Sequence, residues 1–188
     1  MDAQSTAVGL VLEGTTEYRA IPMLLQQLGV RTVAPSVFDG QPVDASIRSL
    51  VENRLLRHVR TQLIKATSTV IVVLDRESRA QSAKDFGAQV LAESIRQVKR
   101  KDGEAASRRI AVAVADRAFE NWLLADPEGI SRSRLLRRNS GIAGRVACHA
   151  DDRNAKELLQ ATMAKGWYEP SVHGPQLATH LRVREKGI

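Results

Sequence analysis

Hydrophobic residues in this chain alternate between short continuous runs and long stretches at helical spacing. The run Ala7-Val-Gly-Leu-Val-Leu12 is closed by Glu13-Gly14. A short apolar run bounded by turn residues suits a buried strand. Thr15 or Thr16 then caps a helix with Glu17 in its first turn, where a carboxylate suits the helix dipole. Ile21, Leu24, Leu25 and Leu28 form its apolar face, and Gly29 ends it. Segment 31–38 reads as a weaker strand bent at Pro35, followed by the loop Asp39-Gly-Gln-Pro42.

From residue 44 to about 67, Ile47, Leu50, Val51, Leu55, Val59 and Leu63 recur at helical spacing. Thr69-Val-Ile-Val-Val-Leu74 is the strongest strand signal, apolar at consecutive positions as in a central strand covered by helices on both faces. It runs into Asp75-Arg76-Glu77. A third helix is predicted over 82–101 and another buried strand over 109–115. Asp116 then caps a short helix carrying Phe119, Trp122, Leu123 and Leu124, which stops near Asp126-Pro127. Segment 131–145 is arginine-rich and glycine-interrupted, a loop with a helical turn at Leu135-Leu136. Asp151 or Asp152 caps a last helix through Lys156, Leu159 and Met163 to Gly166, and the tail after Trp167, with Pro170, Gly174 and Pro175, reads as irregular apart from one short turn. Alternating strands and helices predict an α/β fold, a mostly parallel central sheet flanked by helices with a small helical or irregular C-terminal extension.

The placement of the acids carries the chemistry. Glu13 directly follows the first strand, and Asp75 and Glu77 follow the β-branched one. In a parallel sheet the carboxyl ends share one edge, where ligands bind, so these residues converge on one crevice. If the chain stays extended, a step of two puts Asp75 and Glu77 on one side. Gathered carboxylates raise one another's pKa unless a cation neutralises them. Oxygen-only ligands select a hard ion, Mg²⁺ or Mn²⁺, suited to phosphoryl chemistry.

Three blocks resemble a known family. Val11-Leu-Glu-Gly-Thr-Thr-Glu17 resembles the E-G-x-T-E signature that opens a TOPRIM domain, and Val73-Leu-Asp-Arg-Glu77 its D-x-D. Phe119-Glu-Asn-Trp-Leu-Leu-Ala-Asp126 resembles the E-x-W-L-x-A-D motif of a bacterial TOPRIM-like family that often accompanies ATPase genes in anti-phage defence. The resemblance spans most of residues 7 to 130 and implies a TOPRIM-like (Rossmann-like) core over 1–130, with a basic extension packed on it over 131–188. It implies a magnesium-dependent fold shared with topoisomerases, primases and overcoming-lysogenization-defect type nucleases. By motif position, Glu13, Asp75 and Glu77 are the catalytic residues, and Glu13, Asp75, Glu77, Glu17 and Glu120 hold the metal. Two departures stand out. The D-x-D is D-R-E, which puts Arg76 between the acids where it can pair with them, and the family's R-S-x-S-x-F-like segment has no counterpart in Arg184-Glu-Lys-Gly-Ile188.

Charge adds a substrate. The 188 residues carry 28 Lys+Arg against 21 Asp+Glu, a net charge of +7. Arg132, Arg134, Arg137, Arg138 and Arg145 form the main candidate nucleic-acid contact, with Arg96, Lys99, Arg100 and Lys101 a second cluster. Aromatic residues are only 4% of the chain, so contact is expected with the phosphate backbone rather than by base stacking. The single cysteine, Cys148, excludes an internal disulfide and points to a reducing cytoplasm, and no apolar run reaches membrane-spanning length. Cys148-His149 lacks the ligand number of a zinc site. Without a G-x-x-x-x-G-K-[ST] loop the chain is not expected to hydrolyse ATP, and the resemblance to a family found beside ATPase genes implies a separate ATPase subunit as partner, with homo-oligomerisation a further possibility. The readings are a Mg²⁺-dependent nuclease serving as effector of a defence system, a non-catalytic adaptor on the same scaffold, or a small-nucleotide phosphatase.

Overall fold

The computed structural model describes residues 6–40, 43–138, 140–146 and 154–182. Strand β1 (Ala7–Leu12) leads into helix α1 (Thr15–Gln27), then the two-residue strands β2 (Arg31–Thr32) and β3 (Ser36–Val37). Helix α2 (Ile47–Leu50) continues through a π-helical turn, Val51–Leu55, into α3 (Leu56–Lys65). Then come β4 (Val70–Asp75), α4 (Ala83–Asp102), α5 (Glu104–Ser107), β5 (Ile110–Ala115), α6 (Phe119–Leu124) and α7 (Pro127–Ile130). The C-terminal part contributes α8 (Ile142–Val146), α9 (Ala155–Thr162) and α10 (Pro170–Ala178).

The sheet runs β2-β1-β4-β5, with β3 also on β1. β2 pairs with Ala7 and Val8, β3 with Val11 and Leu12, on either side of the bend at Pro35. Every strand pairing is parallel, so all carboxyl ends lie on one edge. The register sets Leu12 beside Val73 and Asp75 beside Ala115, which brings Glu13 next to the end of β4.

Both faces of the sheet are apolar and covered. Val11, Val70, Val72 and Leu74 pack with Leu55, Val59, Phe86 and Val90 of the α2–α4 layer. Leu10, Leu12 and Val73 pack with Leu24, Leu123, Ile130, Leu159 and Leu177. Alternate residues thus go to opposite layers, which is why β4 reads as one unbroken apolar run. Each such side chain removed from water contributes roughly 1.5–3 kcal/mol. The second cluster joins the C-terminal helices to the same core as α1.

Several local expectations are corrected. Neither Thr15 nor Thr16 caps α1; the N-cap is Gly14 at φ 125°, without a side-chain cap. This left-handed backbone favours glycine, and a Cβ there would lie 3.0 Å from Glu17 Oε2. The long helical stretch begins at Ile47, with Ser46 Oγ accepting the Ser49 N–H at 3.2 Å. α6 starts after Ala118, whose N–H donates to Asn121 Oδ1 at 3.2 Å, while Asp116 pairs with Arg76 instead. α6 ends at Leu124, near Asp126-Pro127 as expected, and Asp126 caps α7 by accepting the Gly129 N–H at 3.0 Å. Leu136 forms an antiparallel bridge with Met163, and the helical turn lies at Ile142–Val146. Asp151 and Asp152 fall outside the described residues, as do Cys148 and His149, and Asn154 caps α9.

The tail is the largest correction, because α10 occupies it. Pro170 sits at the helix start, where a missing N–H costs nothing. Pro175 cannot donate to the carbonyl of Ser171, and that oxygen accepts Arg19 Nη1 at 3.0 Å instead. The bond left open inside α10 therefore ties α10 to α1.

Candidate active site

At the carboxyl edge, Glu13 Oε2 accepts the Asp75 backbone N–H at 3.0 Å. The chain after β3 crosses above it: a Cβ on Gly40 would collide with Glu13 Oε1 and lie 3.4 Å from its Cδ. A side chain here would push the Glu13 carboxylate aside. Burial pushes the Glu13 carboxyl up to about 6, helped by repulsion from Glu77 and opposed by the Asp75 N–H and by Arg79.

Asp75 is the last residue of β4 and accepts the Phe119 N–H at the start of α6. Its pKa is pushed up to about 8, first by burial and then by Glu17, Glu13 and Glu120. Glu17, one turn into α1 and 6% exposed, accepts its own backbone N–H. It rises to about 7 through burial and repulsion from Glu120 and Glu13, with Lys156 opposing. Glu120 on α6 is 2% exposed and accepts the Tyr168 hydroxyl at 3.4 Å. Burial and the carboxylates of Glu120 and Glu17 push that hydroxyl above the usual phenol range. Glu17 and Glu120, buried, and Glu13 and Asp75, half-buried, therefore form one mutually repelling set, placed by the end of β1, by α1, by β4 and by α6.

Glu77 does not stand beside Asp75 as an extended chain would place it. The backbone turns left-handed at Glu77 (φ 54°) and at Arg117 (φ 81°), and the Glu77 N–H donates to the Arg117 carbonyl at 2.7 Å. Glu77 instead lines a cleft of about 320 Å³ with Ser78, Arg117, Asn121, Asn154 and Lys156. The cleft adjoins the acids, since Glu77 acts on Glu13 and Lys156 on Glu17. Arg76 pairs with Asp116 and donates to the Arg79 carbonyl at 2.7 Å, so its expected pairing with Asp75 or Glu77 is not what these bonds show. Arg79, 9% exposed, lies over the Phe86 ring and donates to the Val43 and Ala45 carbonyls at 2.7 and 3.3 Å, which holds the chain beyond Gly40 in place.

The arginine cluster is exposed at Arg132, Arg134, Arg137, Arg138 and Arg145. Two of its members also brace the extension: Arg132 Nη2 donates to the His180 carbonyl at 3.3 Å and Arg137 Nε to the Met163 carbonyl at 2.9 Å. In the second cluster Arg96 and Lys99 are paired with Glu93 and Glu104. Lys156 acts on Glu17 and Arg117 lines the adjoining cleft, and the sequence singled out neither. Their only signal was position, Arg117 just past a strand end and Lys156 just inside a helix. Tyr168 was likewise missed, because no spacing rule links it to Glu120.

The donor set suits a hard cation, being carboxylate oxygens that burial and repulsion leave short of neutralising charge. Among the described residues, no three His, Cys, Asp or Glu side chains stand in position to share one ion. Glu13 and Asp75, joined by a hydrogen bond, are the pair best placed.

Among solved structures, the chain is similar to the C-terminal region of the Xanthomonas campestris pv. campestris OLD protein. Sequence identity is 12% and the TM-score 0.46, with 93% of this chain and 85% of that one covered. No curated protein matches. No helix among the described residues is long and apolar enough to cross a membrane. A family profile described as "Domain of unknown function (DUF4276)" matches residues 12–185, nearly the whole chain, and the chain belongs to that family.

Proposed function

We propose that this chain is a TOPRIM-type, Mg²⁺- or Mn²⁺-dependent nuclease that hydrolyses phosphodiesters, acting in the cytoplasm as the effector of a bacterial defence system with a separate ATPase subunit. The observation that carries this is the mutually repelling set Glu13, Glu17, Asp75 and Glu120 at the carboxyl edge of a parallel sheet, beside a cleft with Arg117 and Lys156. The E-G-x-T-E, D-R-E and E-x-W-L-x-A-D blocks supply the TOPRIM reading and the partner.

The residues divide the work. Asp75, oriented by the Phe119 N–H, and Glu13, oriented by the Asp75 N–H, hold the divalent ion. When bound, that ion supplies charge neutralisation at the phosphate and a water acidic enough to attack at neutral pH. Arg117 and Lys156 hold the non-bridging phosphate oxygens from the cleft side. Glu17, at about 7, can take or return a proton near neutrality. Glu120, fixed by Tyr168, completes the negative potential around that ion, and Glu77 orients the substrate at the cleft wall. The exposed arginines from Arg132 to Arg145 extend the backbone contact.

A second reading, a non-catalytic scaffold that binds an ATPase or nucleic acid, draws support from Glu77 turning away from Asp75. Cleavage assays on single- and double-stranded DNA and on RNA, with Mg²⁺ or Mn²⁺ and with the ATPase partner added, separate the two. The nuclease reading expects Asp75→Asn and Glu13→Gln each to lower cleavage by roughly 100-fold or more, the scale of removing one group that acts on the transition state. Cleavage that survives both substitutions and EDTA contradicts it, and turnover of mononucleotides alone favours the phosphatase.

A further inference from the structure

Strand β5 closes the sheet order, and among the described residues nothing pairs with its outer side. Its sequence, Ile-Ala-Val-Ala-Val-Ala, has no charge, proline or glycine. Natural edge strands usually carry such devices to prevent pairing. Both faces beside this edge carry a groove, one wholly apolar and the other mixed, with Lys84 in its wall. On one lies a groove of about 230 Å³ whose walls include Leu25, Leu28, Ile71, Ala113 and Trp122. On the other is a groove of about 270 Å³ with Leu91, Val112 and Val114.

The strand's own pattern identifies the occupant. The carbonyls of Arg109 and Ala115 accept the N–H groups of Val70 and Arg76. Backbone groups alternate in direction along a strand, so those of Ile110, Val112 and Val114 point outward. A second β5 running antiparallel, about a two-fold axis perpendicular to the sheet, presents the same outward groups and keeps the alanines on one face and the branched residues on the other. Flanking charge fixes the register. With Val112 opposite Val112, Arg108 of each copy stands opposite Asp116 of the other; a shift to Ala113 opposite Ala113 would set Arg109 against Arg117. Arg108 is exposed and paired with Glu104, and Asp116 is one-third exposed (34%) and paired with Arg76, so across the seam each would share or exchange its partner.

We propose that two copies of this chain associate through antiparallel pairing of their β5 strands, centred on Val112, to form one continuous sheet. The two-fold sends the carboxyl edges in opposite directions, so neither acidic site is covered.

Sedimentation velocity over a concentration series tests this. The 20.7 kDa chain is expected to sediment as a dimer that dissociates on dilution. Val112→Pro removes an outward N–H that the monomer does not use, and is expected to sediment as a monomer at every concentration. A second measurement does not depend on that variant folding. In a Cys148→Ser background, mild oxidation should link Val112→Cys into a covalent dimer, because directly opposed residues in a hydrogen-bonded pair lie about 5.5 Å apart, within disulfide range. Ile110→Cys, opposite Val114, should stay unlinked. A wild type that is monomeric throughout, a folded Val112→Pro that remains a dimer, failure of Val112→Cys to link, or equal linking of Ile110→Cys would each overturn the proposal.

Discussion

Removing the charge of Asp75 should stabilise the metal-free protein, and only at high pH. Its carboxyl moves from an ordinary 3.8 to about 8 on folding, through burial and repulsion by Glu17, Glu13 and Glu120. The sign follows from proton uptake. Between those values the folded chain keeps a proton that the unfolded chain has released, so stability is greatest at low pH and falls as pH rises toward 8. At about 1.36 kcal/mol per pH unit, an isolated group would lose roughly 5–6 kcal/mol across that window. The acids share one repulsion, and Glu13 and Glu17 stay partly protonated to about 6 and 7, so the effect separable at Asp75 is about 2–3 kcal/mol. Asparagine keeps the shape and an oxygen for the Phe119 N–H. In urea denaturation with EDTA, Asp75→Asn should exceed wild type by about 2–3 kcal/mol at pH 8.5 and differ by less than about 1 kcal/mol at pH 4.5. Saturating Mg²⁺ should stabilise the wild type alone and close the gap. An Asp75→Asn protein that is equally or less stable than wild type at pH 8.5 refutes the reasoning.

Other expectations follow from single contacts. Gly40→Ala forces Glu13 Oε1 aside, so Mn²⁺ affinity should fall at least several-fold in calorimetric titration while the circular dichroism spectrum is unchanged. Tyr168→Phe removes the hydroxyl donor to Glu120. It should cost about 0.5–1.5 kcal/mol in urea denaturation at neutral pH and weaken Mn²⁺ binding. Arg182 grips Asp126 and Glu128 and holds the Asp126 carboxyl well below the usual range. Arg182→Ala should lower stability at pH 7. Because the folded-state pKa of Asp126 is depressed, that difference should persist above the ordinary aspartate range and shrink as pH falls below it, as thermal melts would show. Arg117→Ala with Lys156→Ala should weaken DNA or RNA binding in fluorescence anisotropy and flatten its salt dependence.

The layer architecture was legible because hydrophobic period and turn residues report directly on burial. The unbroken Val70–Leu74 run demanded two covered faces, and the structure supplies them. Placing Glu13 and Asp75 at one edge needed only the parallel order. Features set by local backbone geometry were not legible. Alternation predicted Asp75 and Glu77 side by side, but a left-handed turn at Glu77 separates them. Prolines suggested an irregular tail, yet one fits a helix start and the other leaves a carbonyl that Arg19 takes. Contacts between distant segments carry no sequence period, so Tyr168 on Glu120, Lys156 near Glu17 and Gly40 on Glu13 emerge only in three dimensions. The cap expected at Asp116 failed for a related reason: that carboxylate finds its partner in Arg76, far from it in sequence.

The central claim is that the acids at the sheet edge exist to hold a divalent ion. Calorimetric titration of Mn²⁺ into the metal-free protein at pH 8, compared with Asp75→Asn and Glu13→Gln, tests it most directly. The account predicts saturable binding by the wild type that either substitution abolishes. Binding left intact in both variants would contradict it.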